Sequence, residues 1–222
     1  MDRITIQPEA IDTVLLDGQL SDALEQAASI LLAGGLVAFP TDTVYGLGAL
    51  VWNPASVARI YWAKDRPSEK AIPVLLADLE QTKLLGAEPS SQVRRLAERF
   101  WPGPLTLVLP CGPHVPEIVT AGTRTVAVRV PDHPVALRLF ELVGQPLAVT
   151  SANRSGHTSH LTAGEVMAQL AGRIDAVIDG GACPGGVPST VLDLTTTPAR
   201  VLRQGPVTAA DLASLVGETE PF

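Results

Sequence analysis

Apolar residues recur along the chain in two distinct periods. Leu24, Ala27, Ala28, Leu31 and Leu32 follow the 3.6-residue turn over 22–33. This predicts an amphipathic helix that Ser21 can cap and Gly34-Gly35 ends. A short strand follows at 36–39, Leu-Val-Ala-Phe. Pro40 has no N–H for a central ladder, so the strand is expected to stop there and release a loop of hydroxyls and glycines, 40–48. In that loop, Gly46 and Gly48 allow special backbone geometry or a close approach that side chains would block. Asn53-Pro54 then forms an N-cap and first-turn pair, with Val57, Ile60 and Tyr61 on the buried face of a helix reaching about Lys64. A strand at 72–77 and a short helix from Leu79 come next. Ser90 or Ser91 caps a further helix with Val93, Leu96, Ala97 and Phe100 inward, and Pro102 stops it.

Strand patterns recur at 105–109, 125–130, 146–149, 175–178, 190–194 and 200–203. Helices at 134–143 and 163–171 separate some of them, the second opened by the capping box Thr162-x-x-Glu165. Several strands are apolar on both faces, which requires a sheet covered on both sides. Some strands also follow one another with no helix between them, which predicts a mixed sheet. The expected fold is a three-layer α/β single domain over 1–222, without repeats, linkers or low-complexity tracts.

Composition narrows the function classes. A net charge of −7 with 4% aromatic residues argues against a broad nucleic-acid surface, which rests on phosphate neutralisation and base stacking. No stretch reaches the roughly 18 apolar residues of a membrane span, and MDRITIQPEA has neither a basic region nor an apolar run of a leader. A cytoplasmic location away from membranes is expected. Cys111 and Cys183 are too few for a zinc knuckle or disulfide framework and read as ordinary thiols.

Four polar segments follow strand or helix ends: 40–48, 64–70, 150–159 and 186–190. Taken singly, each has an ordinary reading. Thr41-Asp-Thr43 is a hydroxyl-capped turn, and Lys64 and Arg66 complement a helix C-terminus. His157 and His160 are three apart but have only Glu165 nearby as a third ligand, so no metal is expected there. Taken together, the segments describe a site. Lys64, Arg66 and Lys70, in a loop stiffened by Pro67, offer a clamp for phosphate oxygens, with Arg as a planar fork and Lys as a point charge. The chain contains neither GxxxxGK[ST] nor GxSxG, so phosphate would not sit on a P-loop and Ser151 is no hydrolase nucleophile. A cationic, hydroxyl-rich site without a carboxylate pair suits phosphoryl or nucleotidyl transfer.

FPTDTVYGLGA at 39–49, KDR at 64–66, WPGPLTLVL at 101–109, VAVRVPDHP at 126–134, SAN at 151–153 and PSTV at 188–191 jointly resemble the YrdC-like family over about 20–207. The K-x-R and S-x-N signatures stand as Lys64/Arg66 and Ser151/Asn153. The resemblance is to L-threonylcarbamoyladenylate synthases, and implies a twisted mixed sheet with a concave cationic face. It also implies a reaction joining L-threonine, bicarbonate and ATP into threonylcarbamoyl-AMP and pyrophosphate, with Mg²⁺ carried on the ATP phosphates. The product would pass to a complex that transfers threonylcarbamoyl to tRNA; the resemblance does not decide whether the chain itself touches tRNA.

By the same resemblance, Lys64 and Arg66 are catalytic, and Arg66, Lys70, Thr125, Ser151, Asn153, Ser159 and Arg203 contact ATP. Thr43, Arg129 and Ser189 contact L-threonine. Asp42 stands where many relatives have glutamate, Lys70 where some have asparagine, and Leu75 where some have a threonine-contacting histidine. The chain is expected to be the short form, ending soon after the match, without the zinc-finger and acylphosphatase parts of hydrogenase-maturation proteins. The rival reading is a non-catalytic RNA-binding or ribosome-assembly module on the same fold.

Overall fold

Side chains alternate between two apolar layers along the central strands, and that alternation sets the architecture. The computed structural model describes residues 11–217. The stretch read above as lacking a leader, 1–10, and residues 218–222 lie outside the described residues. In chain order the elements are β1 (Val14–Asp17), α1 (Ser21–Leu32), β2 (Val37–Phe39), β3 (Gly46–Leu50), α2 (Pro54–Lys64) and β4 (Val74–Leu75). A 3₁₀ helix, Leu79–Leu85, leads to α3 (Ser91–Phe100), β5 (Leu105–Pro110), α4 (Glu117–Thr120), β6 (Thr125–Arg129) and α5 (Pro134–Val143). Then follow β7 (Leu147–Ser151), α6 (Ala163–Leu170), β8 (Ala176–Asp179), β9 (Thr190–Asp193), β10 (Arg200–Arg203) and α7 (Ala209–Val216).

The strands form one ten-stranded sheet in the order β1-β8-β2-β3-β7-β4-β6-β5-β9-β10. It is mixed, as expected: β8 is parallel to β1 and β2, whereas β3 is antiparallel to β2 and β7. Val37, Phe39, Leu147, Val149, Ala176 and Ile178 pack on one side against Leu24, Leu31, Leu139 and Phe140 of α1 and α5. Ala38, Ala148 and Val177 face the other side, with Val57 and Ile60 of α2, Leu96 of α3, Val166 of α6 and Leu212 of α7. Helices therefore cover both faces, giving the three-layer arrangement.

The predicted loop 40–48 is a loop only as far as Tyr45. Gly46-Leu-Gly-Ala-Leu50 is β3, all five residues buried. A Cβ on Gly46 would lie 2.8 Å from Val149 Cγ1, and one on Gly48 2.9 Å from Phe39 Cε1. The two glycines occupy one face of the strand and leave room for the large side chains of its neighbours. Ser21 is likewise not a cap: α1 begins at Ser21, and Leu20 before it makes no side-chain cap bond. The predicted strand at 72–77 keeps only Val74 and Leu75 in the ladder, although Ile72 N–H still bonds Val119 O at 2.9 Å and Leu76 N–H bonds Arg129 O at 2.9 Å. Asn53, Ser90 and Thr162 cap their helices as predicted. Elements β1, α4 and α7 were not foreseen.

Candidate active site

The loop leaving β2 is built on one hydroxyl. Thr41 Oγ1 accepts from the backbone N–H of Thr43 and of Val44, both at 3.2 Å, and donates to Val44 O at 2.7 Å. That is the hydroxyl-capped turn, and it fixes the direction of Thr43. The two threonine hydroxyls lie 3.0 Å apart; since Thr41 has committed its proton to Val44, Thr43 is the donor. Thr43 Oγ1 in turn accepts from Arg129 Nη1 at 3.1 Å.

Arg129 is the last residue of β6 and is 5% exposed. Its Nε donates to Gly103 O at 2.9 Å and its Nη2 to the Asp42 carboxylate, which also accepts from the Asp132 N–H at 3.0 Å. Burial pushes the guanidinium below its usual range, and Asp42 pulls it back up. Nη1 and Nη2 each have one partner among the described residues, so each keeps a second N–H for a ligand.

A second guanidinium stands across the site. Arg203, from β10, donates through Nε to Ser189 O at 2.9 Å and through Nη2 to Ser189 Oγ at 3.1 Å. Ser189 Oγ lies 2.8 Å from Thr106 Oγ1 on β5. Burial and the charge of Arg129 both lower the Arg203 pKa, so the two cations feel one another. Arg66, beyond α2, donates through Nη2 to Ala71 O at 2.8 Å; burial lowers its pKa too. All three guanidinium groups line one cavity of about 370 Å³, together with the hydroxyl residues Thr43, Thr106, Thr150, Ser151, Ser159 and Ser189 and an apolar wall of Pro73, Leu75 and Val149. Among the described residues no carboxylate lines it. In a chain of net charge −7 this is a concentration of positive charge.

Thus the four polar segments converge: Thr43, Arg66, Arg129, Ser151, Ser159, Ser189 and Arg203 line the cavity, whereas Lys64, Lys70, Thr125 and Asn153 do not. The helix ends at Lys64 as expected, but Lys64 was expected to be exposed and is instead 1% exposed, its Nζ donating to the carbonyls of Ser151 and Asn153. Lys70 has an exposed side chain, and its carbonyl accepts from Tyr61 Oη at 3.0 Å and Arg66 Nε at 3.3 Å. Thr125 begins β6, four residues before Arg129, which is roughly 13 Å along a strand. Asn153 Nδ2 closes its own loop through Arg154 O at 2.9 Å and His157 O at 2.7 Å.

Sequence reading missed Thr106. Its signal was a lone hydroxyl in the otherwise apolar run 105–109 of β5. Leu75 does reach the cavity, as part of an apolar wall. His160 Nε2 lies 3.1 Å from Gln169 Oε1, and among the described residues no three His, Cys, Asp or Glu side chains are placed to share a metal.

Fold and cavity together define an α/β protein that gathers guanidinium and hydroxyl groups at strand ends around one cavity. The chain belongs to the Sua5/YciO/YrdC family, whose sequence model, described as "Telomere recombination", matches residues 29–205. It is 46% identical over 192 residues to a threonylcarbamoyl-AMP synthase of Pyrococcus abyssi, covering 86% of this chain and 56% of that one. The chain thus spans about half the length of that relative. A putative threonylcarbamoyl-AMP synthase of Mycobacterium tuberculosis is 37% identical over 199 residues, covering 90% of this chain and 91% of that protein. The crystal structure of P. abyssi Sua5 complexed with L-threonine superposes with a TM-score of 0.90 at 42% identity, covering 95% of this chain and 62% of that one.

Proposed function

We propose that this chain is a threonylcarbamoyl-AMP synthase, joining L-threonine, bicarbonate and ATP with release of pyrophosphate. The observation that carries the reading is the pairing, in one carboxylate-free cavity, of Arg129 braced on Thr43 with Arg203 braced on Ser189. The spare N–H groups of Arg129 suit an amino-acid carboxylate, which a planar fork binds better than a point charge. Thr43 and Ser189, both lining the cavity, would bond the substrate hydroxyl, and the Leu75–Val149 wall suits its methyl group. Arg66 and Arg203 take the phosphates, with Ser151 and Ser159 hydrogen-bonding the nucleotide. Contacts to Lys70 or Thr125 require a nucleotide that extends past the cavity.

In the reaction proposed, the threonine nitrogen attacks the bicarbonate carbon and water leaves, forming a carbamate. A carbamate oxygen then attacks the α-phosphorus; the new O–P bond forms as the bond to the β-phosphate bridge oxygen breaks. The protein contributes orientation and fixed positive charge, and no residue is acylated. ATP enters as its Mg²⁺ complex. With no carboxylate lining the cavity among the described residues, the ATP phosphates would have to hold the ion. The product, an activated carbamoyl phosphate ester, fits a partner complex that transfers threonylcarbamoyl to tRNA. The names of the relatives support the synthase, and nothing in them supports a non-catalytic RNA-binding module.

The test is pyrophosphate release from ATP, expected to require both L-threonine and bicarbonate. Equal release without threonine would leave a simple nucleotide hydrolase and remove the proposal.

A further inference from the structure

Lys64 places an ammonium where neither solvent nor a carboxylate can serve it. Its Nζ donates to the Ser151 and Asn153 carbonyls, and its own carbonyl accepts from Ser155 N–H at 2.8 Å. One residue thereby grips the segment 151–155 through both its ammonium and its backbone carbonyl. The adjoining Asp65, in the left-handed region at φ 50°, pairs with Arg154 and Arg173 and ties the same segment to the end of α2. Ser151 lines the cavity, while Lys64 lies behind it. A side chain committed in this way acts on the ligand through the backbone it holds.

We propose that Lys64 is a positioning residue of the cavity: its ammonium fastens the Ser151–Asn153 backbone, and an anion bound beside Arg66 stabilises that ammonium, so that ligand and proton are taken up together. The second half rests on the reading of the cavity as a phosphate site.

The charged neighbours make this coupling physical. Beyond α2 stand Arg66 and Asp65; the loop contributes Arg154 and His157, and the turn before β8 contributes Arg173. Asp65 is engaged by Arg154 and Arg173, and Arg66 is the neighbour whose charge acts on Lys64. Burial first, then Arg66, pushes the Lys64 pKa down to about 7. Ammonium and amine are therefore both populated near neutral pH. A charge-assisted bond to a carbonyl is roughly twice as strong as a neutral one, so loss of the proton loosens the grip on the loop. A polyphosphate at Arg66 offsets the repulsion and draws the proton back.

The chain has only three lysines, Lys64, Lys70 and Lys83, so their side-chain methylene signals can be followed individually by NMR in the unaltered protein. The free protein should show Lys64 titrating near 7, with the Asn153 and Ser155 amides moving at the same midpoint. Inorganic triphosphate should raise that midpoint by about one unit or more. Its binding heat near neutral pH should vary with buffer ionisation enthalpy as proton uptake requires. Lys64→Arg, permanently charged, should abolish the loop titration and the proton uptake while still binding triphosphate. His157→Gln should leave both in place. Lys64 titrating near the ordinary ~10 would overturn the proposal, as would a loop titration that survives Lys64→Arg and vanishes in His157→Gln. Triphosphate binding with no change at Lys64 overturns the coupling alone. Absence of triphosphate binding alongside an intact joint titration overturns the phosphate reading and with it the coupling, and supports the fastening.

Discussion

Arg129 shows at a single residue how a buried charge is kept usable. Three acceptors hold it: Gly103 O from the turn before β5, and Thr43 Oγ1 and the Asp42 carboxylate from the loop after β2. Removing one partner of a buried pair leaves the other charge uncompensated, so Asp42→Asn should destabilise the protein by about 3 kcal/mol in urea unfolding. Arg129→Lys should fail to restore threonine affinity lost in Arg129→Ala, because one ammonium cannot meet three acceptors and a substrate carboxylate in the geometry of a fork. Calorimetric threonine binding in both variants checks this; near-native affinity in Arg129→Lys would show that charge alone suffices. Lys64 gives a prediction in pH. Its folded pKa is lowered to about 7, so above that point the folded state has released a proton that the unfolded state still holds. Stability should therefore rise between about pH 7 and the unfolded value of ~10.4, and Lys64→Met should flatten that rise. Arg129, Thr43 and Ser189 were legible in the sequence because each lies in a motif. The burial of Lys64 was not, because a lysine at a helix end followed by Asp-Arg-Pro has the local pattern of a solvated turn, and the loop 151–155 that its ammonium bonds lies almost ninety residues away in the chain.

At the scale of elements, β3 is the instructive case. Strand periodicity is read from apolar residues on at least one face, and Gly46-Leu-Gly-Ala-Leu50 has glycine on the face that Phe39 and Val149 fill. The sequence signal for close approach was present, but the strand carrying it was hidden. Gly48→Ala should cost about 1–3 kcal/mol by overpacking Phe39. In combination with Phe39→Leu the cost should shrink, giving a coupling well outside the few tenths of a kcal/mol seen for independent sites. Strictly additive unfolding energies would mean that Phe39 is not what excludes the side chain. The β1 strand escaped notice for a different reason: its apolar run, Val14-Leu15-Leu16, is only three residues long and ends at Asp17, and at the sheet edge three of the four residues are exposed. One-turn α4 is too short for any helical period to show.

For the whole molecule, the doubly apolar strands and the helices between them were enough to indicate a covered mixed sheet, because burial on both faces admits few other arrangements. Strand order was not legible; it depends on pairings such as β5 with β9 across more than eighty residues of chain. The topology matters to function because it brings the ends of β6, β7 and β9, with the loop after β2, to one cavity. An acidic chain with three guanidinium groups turned inward is suited to a small anionic ligand. The most direct measurement of the account supplies the protein with ATP, L-threonine and ¹³C-bicarbonate and identifies the nucleotide product by mass spectrometry. The predicted result is a single species containing AMP, threonine and the label, formed in step with pyrophosphate. Pyrophosphate or ADP appearing with no labelled threonine adduct would contradict it.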